Sequence, residues 1–194
     1  MLHFLQFFYM GMTVMSAALF LIILIPLYLV FLYNRFVRMQ NQCEEGWSGI
    51  SVQLKRRYDL IPNLVECVKG YAGYEQKTLE QIVEKRSAAI NAATPVQKAA
   101  AENDLTQSLK SLFALSERYP DLKASNNFIE LQNSLNTVED DLQNARRYYN
   151  ATVRNYNTAV DSFPSNLIAR RFGFAKKEFF DIDDAAKENV KVTF

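Results

Sequence analysis

The fold is decided by residues 128–163, which read FIELQNSLNTVEDDLQNARRYYNATVRNYNTAVDSF. Apolar residues recur in this stretch at alternating spacings of three and four, from Phe128 to Phe163, and Thr152 interrupts the series. A repeat of 3.5 residues keeps one apolar face of a helix turned toward its partners along the whole length. The stretch therefore predicts a long helix in a coiled-coil-like bundle.

A second apolar series precedes it, and Arg57 occupies one of its inward positions. The members of this series are Trp47, Ile50, Leu54, Ile61, Leu64 and Val68. The chain has six glycines, five prolines and no alternating strand pattern, so we predict an all-α fold. The predicted helices cover about 12–70, 74–93, 95–117 and 121–162, with Thr94 and Pro95 starting the third. Short connections would join them into an antiparallel four-helix bundle.

Charge is distributed unevenly along the chain. All 22 Lys+Arg and 21 Asp+Glu residues lie from Arg35 onward, and residues 1–34 contain no Asp, Glu, Lys or Arg and only His3 as a basic side chain. Met12–Tyr33 is apolar and exceeds the roughly 20 residues that cross a bilayer. The alternatives are a buried core helix and a cleaved signal peptide, but the run is too long for both and no A-x-A site follows it. We predict one N-terminal transmembrane helix.

The flanking charges predict the orientation and the domain limits. No Lys or Arg precedes the span, whereas Arg35 and Arg38 follow it, so the N-terminus is expected outside and the charged part in the cytoplasm. We divide the chain into an N-terminal segment with the transmembrane helix (1–34), a cytoplasmic helical bundle (35–163) and a short basic and aromatic tail (164–194). The net charge of +1 argues against a nucleic-acid partner bound through phosphates.

Unequal helix lengths predict an incomplete bundle next to the membrane. Two of the four predicted helices are about half as long as the others, so the membrane-proximal part would contain two helices. Two helices cannot bury the aromatic side chains of that part, which are Phe36, Trp47, Tyr148, Tyr149, Tyr156 and Phe163. We expect neighbouring copies to cover them in a homo-oligomer. The alternative is that residues 164–194 fold back over them.

The tail mixes basic and aromatic residues. Its candidate membrane-surface residues are Arg170, Arg171, Phe172, Phe174, Lys176 and Lys177. Basic residues near an anionic bilayer surface contribute about 1 kcal/mol each, so the lipid bilayer is one predicted partner of this segment. The alternative is a packing clasp, in which the phenylalanines pack on the helices and the lysines face water.

Four other residues are assigned register or structural roles: Arg57, Asp59, Pro62 and Pro164. A charge at the inward position of Arg57 is costly unless it is paired. We expect the Arg57 side chain to reach the edge of the bundle beside Asp59 or Asp121. The alternative is a buried arginine that fixes the helix register. The acidic run 139–141 is expected to face solvent, because consecutive helical residues point in different directions.

Catalytic and cofactor chemistry have little support in the sequence. His3 is the single histidine, the six glycines form no phosphate-binding loop, and the inward positions lack the His, Cys or paired Glu of a cofactor channel. Cys43 and Cys67 lie about 36 Å apart on one predicted helix, which is too far for a disulfide. We predict a protein without enzymatic activity, cofactor or metal.

Several linear motifs resemble those of the LemA family of bacterial membrane proteins. They are RYDLIPNLV (57–65), YPDLK (119–123), ARRYYN (145–150) and FPSNLIA (163–169), within a similar region of about 40–182. Tyr74 departs from the pattern, because relatives often carry histidine there. The resemblance implies one N-terminal span, a cytoplasmic helical bundle and no known catalytic residues.

Together, these observations predict a non-enzymatic scaffold that homo-oligomerises on the cytoplasmic face of the bacterial inner membrane. The resemblance suggests a role in envelope stress or membrane-protein quality control. The alternative is a monomeric adaptor whose membrane-proximal helices bind another membrane protein, such as a protease or channel.

Overall fold

The computed structural model describes residues 2–71 and 75–181, with side chains given at Met15, at Phe20 and from Ile22 onward. Tyr74 and tail residues 182–194 therefore lie outside the described residues. The helices, in chain order, are α1 (Leu2–Lys69), α2 (Gln76–Asn91), α3 (Pro95–Ser116), α4 (Pro120–Lys123), α5 (Asn126–Asp161) and α6 (Ser165–Phe172). The described ranges contain no strand, and the all-α prediction is confirmed.

The start of α3 has the cap that the sequence predicts. The Thr94 hydroxyl accepts a hydrogen bond from the Gln97 backbone N–H at 3.2 Å, and the Gln97 side chain accepts one from the Thr94 N–H at 3.4 Å. Pro95 follows as the first helical residue, where its missing N–H has no cost.

Two predictions about the last third of the chain are wrong. The single helix predicted over 121–162 is divided, because the chain tightens after Lys123, where the Ser125 N–H bonds to the Leu122 carbonyl at 3.0 Å, three residues back, and α5 begins at Asn126. The tail, expected to be irregular, contains α6. This helix ends at Gly173, whose φ of +76° is a left-handed conformation that favours glycine, and the Phe174 N–H bonds back to the Ala169 carbonyl at 2.9 Å.

The chain divides into two compact units, which we call the first unit (Met1–Gln42 with Asn155–Lys176) and the second unit (Cys43–Arg154 with Lys177–Phe194). The second unit has an apolar core to which α1, α2, α3 and α5 all contribute. Its central residues are Ile61, Leu64, Val68, Leu79, Ile82, Leu105, Leu112, Phe128 and Leu135. The inward positions predicted for α1 and α5 thus lie in a helical bundle.

The first unit contains the uncharged part of α1, the end of α5 and α6. From Ile22 to Phe31 every large apolar side chain of α1 is exposed, and burial begins at Leu32. The most apolar 18-residue window within Ile22–Lys69 has a mean hydropathy of 1.5, with 11% of it buried. Length and composition therefore suit a membrane span, and the low burial argues against a core helix. A signal sequence near an N-terminus can have the same length and apolar composition.

Candidate functional site

Aromatic rings fill the interior of the first unit. Phe36 stacks on Phe174 with 4.9 Å between ring centroids, and Tyr156 meets Phe36 edge to face at 6.1 Å. Tyr33 lies beside them, 5.0 Å from the Phe172 ring and 5.8 Å from that of Phe174. Phe36 and Tyr156 are buried, and Phe174, which follows α6, covers Tyr33 and Phe36 of α1.

A similar arrangement occurs within the second unit. The Trp47 ring lies 5.5 Å from Tyr149 and 5.8 Å from Phe180. The Tyr149 hydroxyl donates to the Glu178 carbonyl at 2.9 Å. Asn150 accepts from the Phe180 N–H at 2.9 Å and donates to the Phe180 carbonyl at 3.2 Å. Burial raises the pKa of Tyr149 to about 12, so this hydroxyl remains a donor at neutral pH.

Gly46 permits this packing at the backbone level. A Cβ at this position would lie 3.1 Å from the Tyr149 Cα and 3.3 Å from a ring carbon of Tyr148. Those distances are shorter than ordinary van der Waals contacts, so a larger residue would push α1 and α5 apart here. Gly46 therefore allows α1 and α5 to approach each other closely.

The six candidate interface residues thus fall into two groups. Phe36, Tyr149 and Tyr156 are buried within this chain, and Trp47 is half-buried. Around Phe36, Trp47 and Tyr149 the contacts are those of the second alternative, a tail folded back over the aromatic residues. Tyr148 and Phe163 remain 48% and 80% exposed. An interface with another copy stays a prediction for those two.

The candidate membrane-surface residues are also divided. Phe174 packs inside the first unit, Lys176 pairs with Asp161 at 2.7 Å, and Lys177 of the second unit lies 3.8 Å from Glu44. Phe174 packs as in the predicted clasp, whereas the two lysines lie beside carboxylates of the chain. Arg170, Arg171 and Phe172, at the end of α6, are exposed.

A buried ionic cluster lies inside the second unit, and it corrects the expectation for Arg57. This side chain is 3% exposed and does not reach the bundle edge. Its guanidinium donates to Glu102 at 3.0 Å and to the Thr106 hydroxyl at 2.6 Å, and it lies 3.3 Å from Glu139. Asp59 is exposed and pairs with Lys55 at 3.3 Å. The alternative interpretation, a buried arginine, is the one observed.

Glu102 is the buried acid of this cluster. It is fully buried on α3 and accepts hydrogen bonds from Arg57 and from the Tyr58 hydroxyl. Burial raises the pKa of Glu102, while the Tyr58 hydrogen bond and the charges of Arg57 and Arg146 oppose that rise. Burial and the neighbouring Glu102 raise the pKa of Tyr58, which keeps its hydroxyl protonated. Arg86 also donates to the Tyr58 carbonyl at 2.8 Å.

The sequence reasoning missed Glu102, although a signal for it existed. Buried residues of α3 recur at Ala99, Glu102, Leu105, Leu109, Leu112 and Ser116. Glu102 occupies a position in an apolar series spaced by three and four, and Arg57 occupies such a position on α1. Two opposite charges at inward positions predict a buried ion pair. In the acidic run 139–141, Asp140 is exposed as expected, whereas the partly buried Glu139 pairs with Arg57.

The other structural candidates are prolines. Pro62 is exposed within α1, and Pro164 lies between α5 and α6 as the residue that precedes α6. Within the described residues, no group of three or more His, Cys, Asp or Glu side chains could hold a metal ion. Cys43 and Cys67 are both free thiols, and burial raises the pKa of Cys43.

The fold and these contacts define a class: an all-helical protein with one N-terminal apolar helix long enough to span a membrane and a bundle built around a buried ionic cluster. The sequence model of the LemA family matches residues 46–194. The chain belongs to the LemA family.

Three curated relatives are similar over much of this chain. Protein LemA of Metamycoplasma hominis is 26% identical over 161 residues, which cover 81% of this chain and 72% of that protein. Magnetosome protein MamQ of Magnetospirillum gryphiswaldense and Magnetosome protein MamQ 2 of Paramagnetospirillum magneticum are each 25% identical over 174 residues. The match covers 76% of this chain but 64% of each MamQ protein, slightly under two-thirds of their length. Together with the apolar helix, these relatives indicate a membrane-associated helical protein.

Proposed function

We propose that the protein is a non-enzymatic scaffold, anchored in the bacterial inner membrane by α1, with its charged helical bundle on the cytoplasmic face. The observation that carries this proposal is the composition of the first unit. The exposed apolar helix surface of residues 22–31 is followed at once by Tyr33 and Phe36, on which the aromatic residues around α6 pack.

The exposed side chains of α6 suit the boundary between lipid and water. Leu167 and Phe172 are more than half exposed, Phe163 just before the helix is more exposed still, and Arg170 and Arg171 occupy its last turn. A short helix with apolar and basic side chains at the edge of a span can lie in the headgroup region. Because Tyr33 contacts Phe172, α6 would lie at the level where the span ends.

The position of α6 can be measured with a spin label in lipid vesicles. Cys67 is replaced by alanine, while Cys43 is buried and does not react, and a single cysteine is placed at Leu167. We expect the label to collide more with oxygen, which is concentrated in lipid, than with a water-soluble nickel chelate. The matched control is a label at Glu130, exposed on α5 in the second unit, which should show the reverse. Equal nickel access at both positions would place α6 in water.

The orientation of the span has its own test. An alkaline phosphatase fused after Asp59, so that Arg35, Arg38 and the basic residues 55–57 are retained, should be inactive, because the enzyme matures outside the cytoplasm and these basic residues favour the inside. Strong activity of this fusion would reverse the proposed topology.

We further propose that copies of the scaffold associate through the aromatic residues that the chain leaves exposed. Phe163 and Tyr148 are large apolar side chains with little cover from the chain itself, and exposed apolar surface of this kind favours contact with another protein. The second candidate is an adaptor that offers the same side chains to a different membrane protein.

Crosslinking in the intact membrane distinguishes the two candidates. A cysteine at Phe163, in a background without Cys67, should form a disulfide-linked dimer of this chain under mild oxidation. The control is a cysteine at Glu130, which is exposed on α5. If the Phe163 variant instead crosslinks to a different protein and stays monomeric by mass in mild detergent, the adaptor is the correct function.

A further inference from the structure

A cationic groove lies on the surface of the second unit, between α3 and α5. Its volume is about 530 Å³, within the range of roughly 300–1,000 Å³ that ligand pockets have. The polar side chains that line it include Asn103, Gln143, Arg146, Arg147 and Arg154, and Phe180 forms part of its wall. No role in the bundle core or in membrane anchoring accounts for this group of side chains.

The groove has a strong excess of positive charge. Three arginines and one carboxylate, Asp181, line it, which leaves a net charge of +2 in a chain whose total is +1. Arg147 donates to the Asn144 side chain at 2.6 Å, and no ion pair joins Arg147 or Arg154 to a carboxylate of the described residues. The charges of Arg147 and Arg154 are therefore not explained by ion pairs inside the fold.

Arg146 adds buried donors that have no acceptor. Its Nε and Nη2 atoms are shielded from water and make no hydrogen bond in the described structure. The guanidinium carbon lies 4.9 Å from the centre of the Phe180 ring, which holds the side chain in place through a cation–π contact. Burial lowers the pKa of Arg146, and the charges of Glu139, Glu102 and Asp181 oppose that effect. Arg146 therefore adds positive charge to the groove wall, and the exposed Arg147 and Arg154 carry the donors that a ligand can reach.

We propose that this groove binds a phosphate group, carried by a soluble organic phosphate or by a phospholipid headgroup. Guanidinium groups match the geometry of phosphate oxygens and bind them through paired hydrogen bonds. A doubly charged phosphate balances the net charge of the groove and offers several acceptors. The side-chain amides of Asn103 and Gln143 supply further neutral donors.

The test uses the full chain in a neutral detergent and inorganic pyrophosphate as the soluble probe. Trp47, the single tryptophan, reports binding by its fluorescence, because its ring lies 5.8 Å from the Phe180 ring in the groove wall. The groove variant is R147Q/R154Q, which removes two exposed arginines and leaves the buried Arg146 in place. The control is R56Q/R118Q, which removes the same charge from exposed positions outside the groove.

We expect pyrophosphate to bind the wild type and to bind the groove variant at least about tenfold more weakly, because each substituted arginine removes charge-assisted hydrogen bonds to the phosphate. The control variant should bind within about twofold of the wild type, since its arginines do not contact the ligand. Circular dichroism should show the same helix content for all three proteins.

A second arm identifies the source of the phosphate. The chain is placed in phosphatidylcholine nanodiscs with or without phosphatidic acid, and the same fluorescence is followed. A response to phosphatidic acid that the groove variant loses, without a response to pyrophosphate, supports a lipid headgroup as the ligand. Selective loss of pyrophosphate binding supports a soluble phosphate. If neither probe binds, or if both variants weaken binding equally, the proposed site is overturned.

Discussion

The two units of the molecule have interiors of different chemistry. In the first unit, rings pack on rings around Phe36, and no charged side chain is buried among its described residues. In the second unit, an arginine and a glutamate are enclosed in an apolar bundle and bonded to each other. The first interior relies on contact area, and the second adds directional bonds between charges.

This difference predicts how each interior responds to change. Packed aromatic rings stabilise the fold by burying apolar surface, and each ring pair adds roughly 0.5–1.5 kcal/mol. A substitution therefore loses stability in proportion to the number of ring atoms that it removes. A buried ion pair contributes little net stability when intact, because desolvation offsets the attraction between the charges. Removal of one partner is costly, since the other charge then remains buried alone.

The largest effect is expected at Arg57. Arg57→Leu removes the partner of the buried Glu102 and should lower the free energy of unfolding by about 3–5 kcal/mol. Urea unfolding of the detergent-solubilised chain, followed by near-ultraviolet circular dichroism, measures this change.

The neighbouring residue provides the control for this prediction. Arg56→Leu removes the same charge from an exposed position, so it should change stability by no more than about 0.5 kcal/mol. If the two variants unfold at the same urea concentration, the ionic cluster is not important for the stability of the second unit.

The sequence predicts the bundle well because its apolar residues repeat with a helical period. Leu64 on α1 and Leu142 on α5, for example, are buried as predicted. It predicts Arg57 poorly, because the partner Glu102 lies 45 positions away and the pairing depends on the register of two helices. The contact between Phe36 and Phe174 is equally hard to predict. These two residues are distant in sequence, and no apolar repeat in the sequence relates them.

A smaller effect is expected in the first unit. Phe174→Ala removes a half-buried ring stacked on Phe36, and it should destabilise the packing of residues after α6 by about 2 kcal/mol, roughly half the cost for a fully buried phenylalanine. Faster hydrogen exchange of the amides of α6 would report this local opening. Phe163→Ala, at a position 80% exposed, should leave the exchange unchanged. Equal exchange in both variants would show that the stacked ring does not hold α6 in place.

The smallest effect is a dependence of stability on pH that belongs to the second unit. Because burial raises the pKa of Glu102, the folded chain retains a proton there at pH values where the unfolded chain has lost it. Glu102 therefore favours folding most at pH values below the ordinary range of glutamate, and this contribution is lost as the pH rises through the elevated pKa. The charges of Arg57 and Arg146 oppose the rise in pKa and keep the effect small.

The Glu102→Gln variant tests this dependence, because its side chain cannot ionise. As the pH rises across this window, the free energy of unfolding of the wild type should fall relative to that of the variant. A difference that is constant with pH would mean that the ionisation of Glu102 is the same in the folded and the unfolded chain despite its burial.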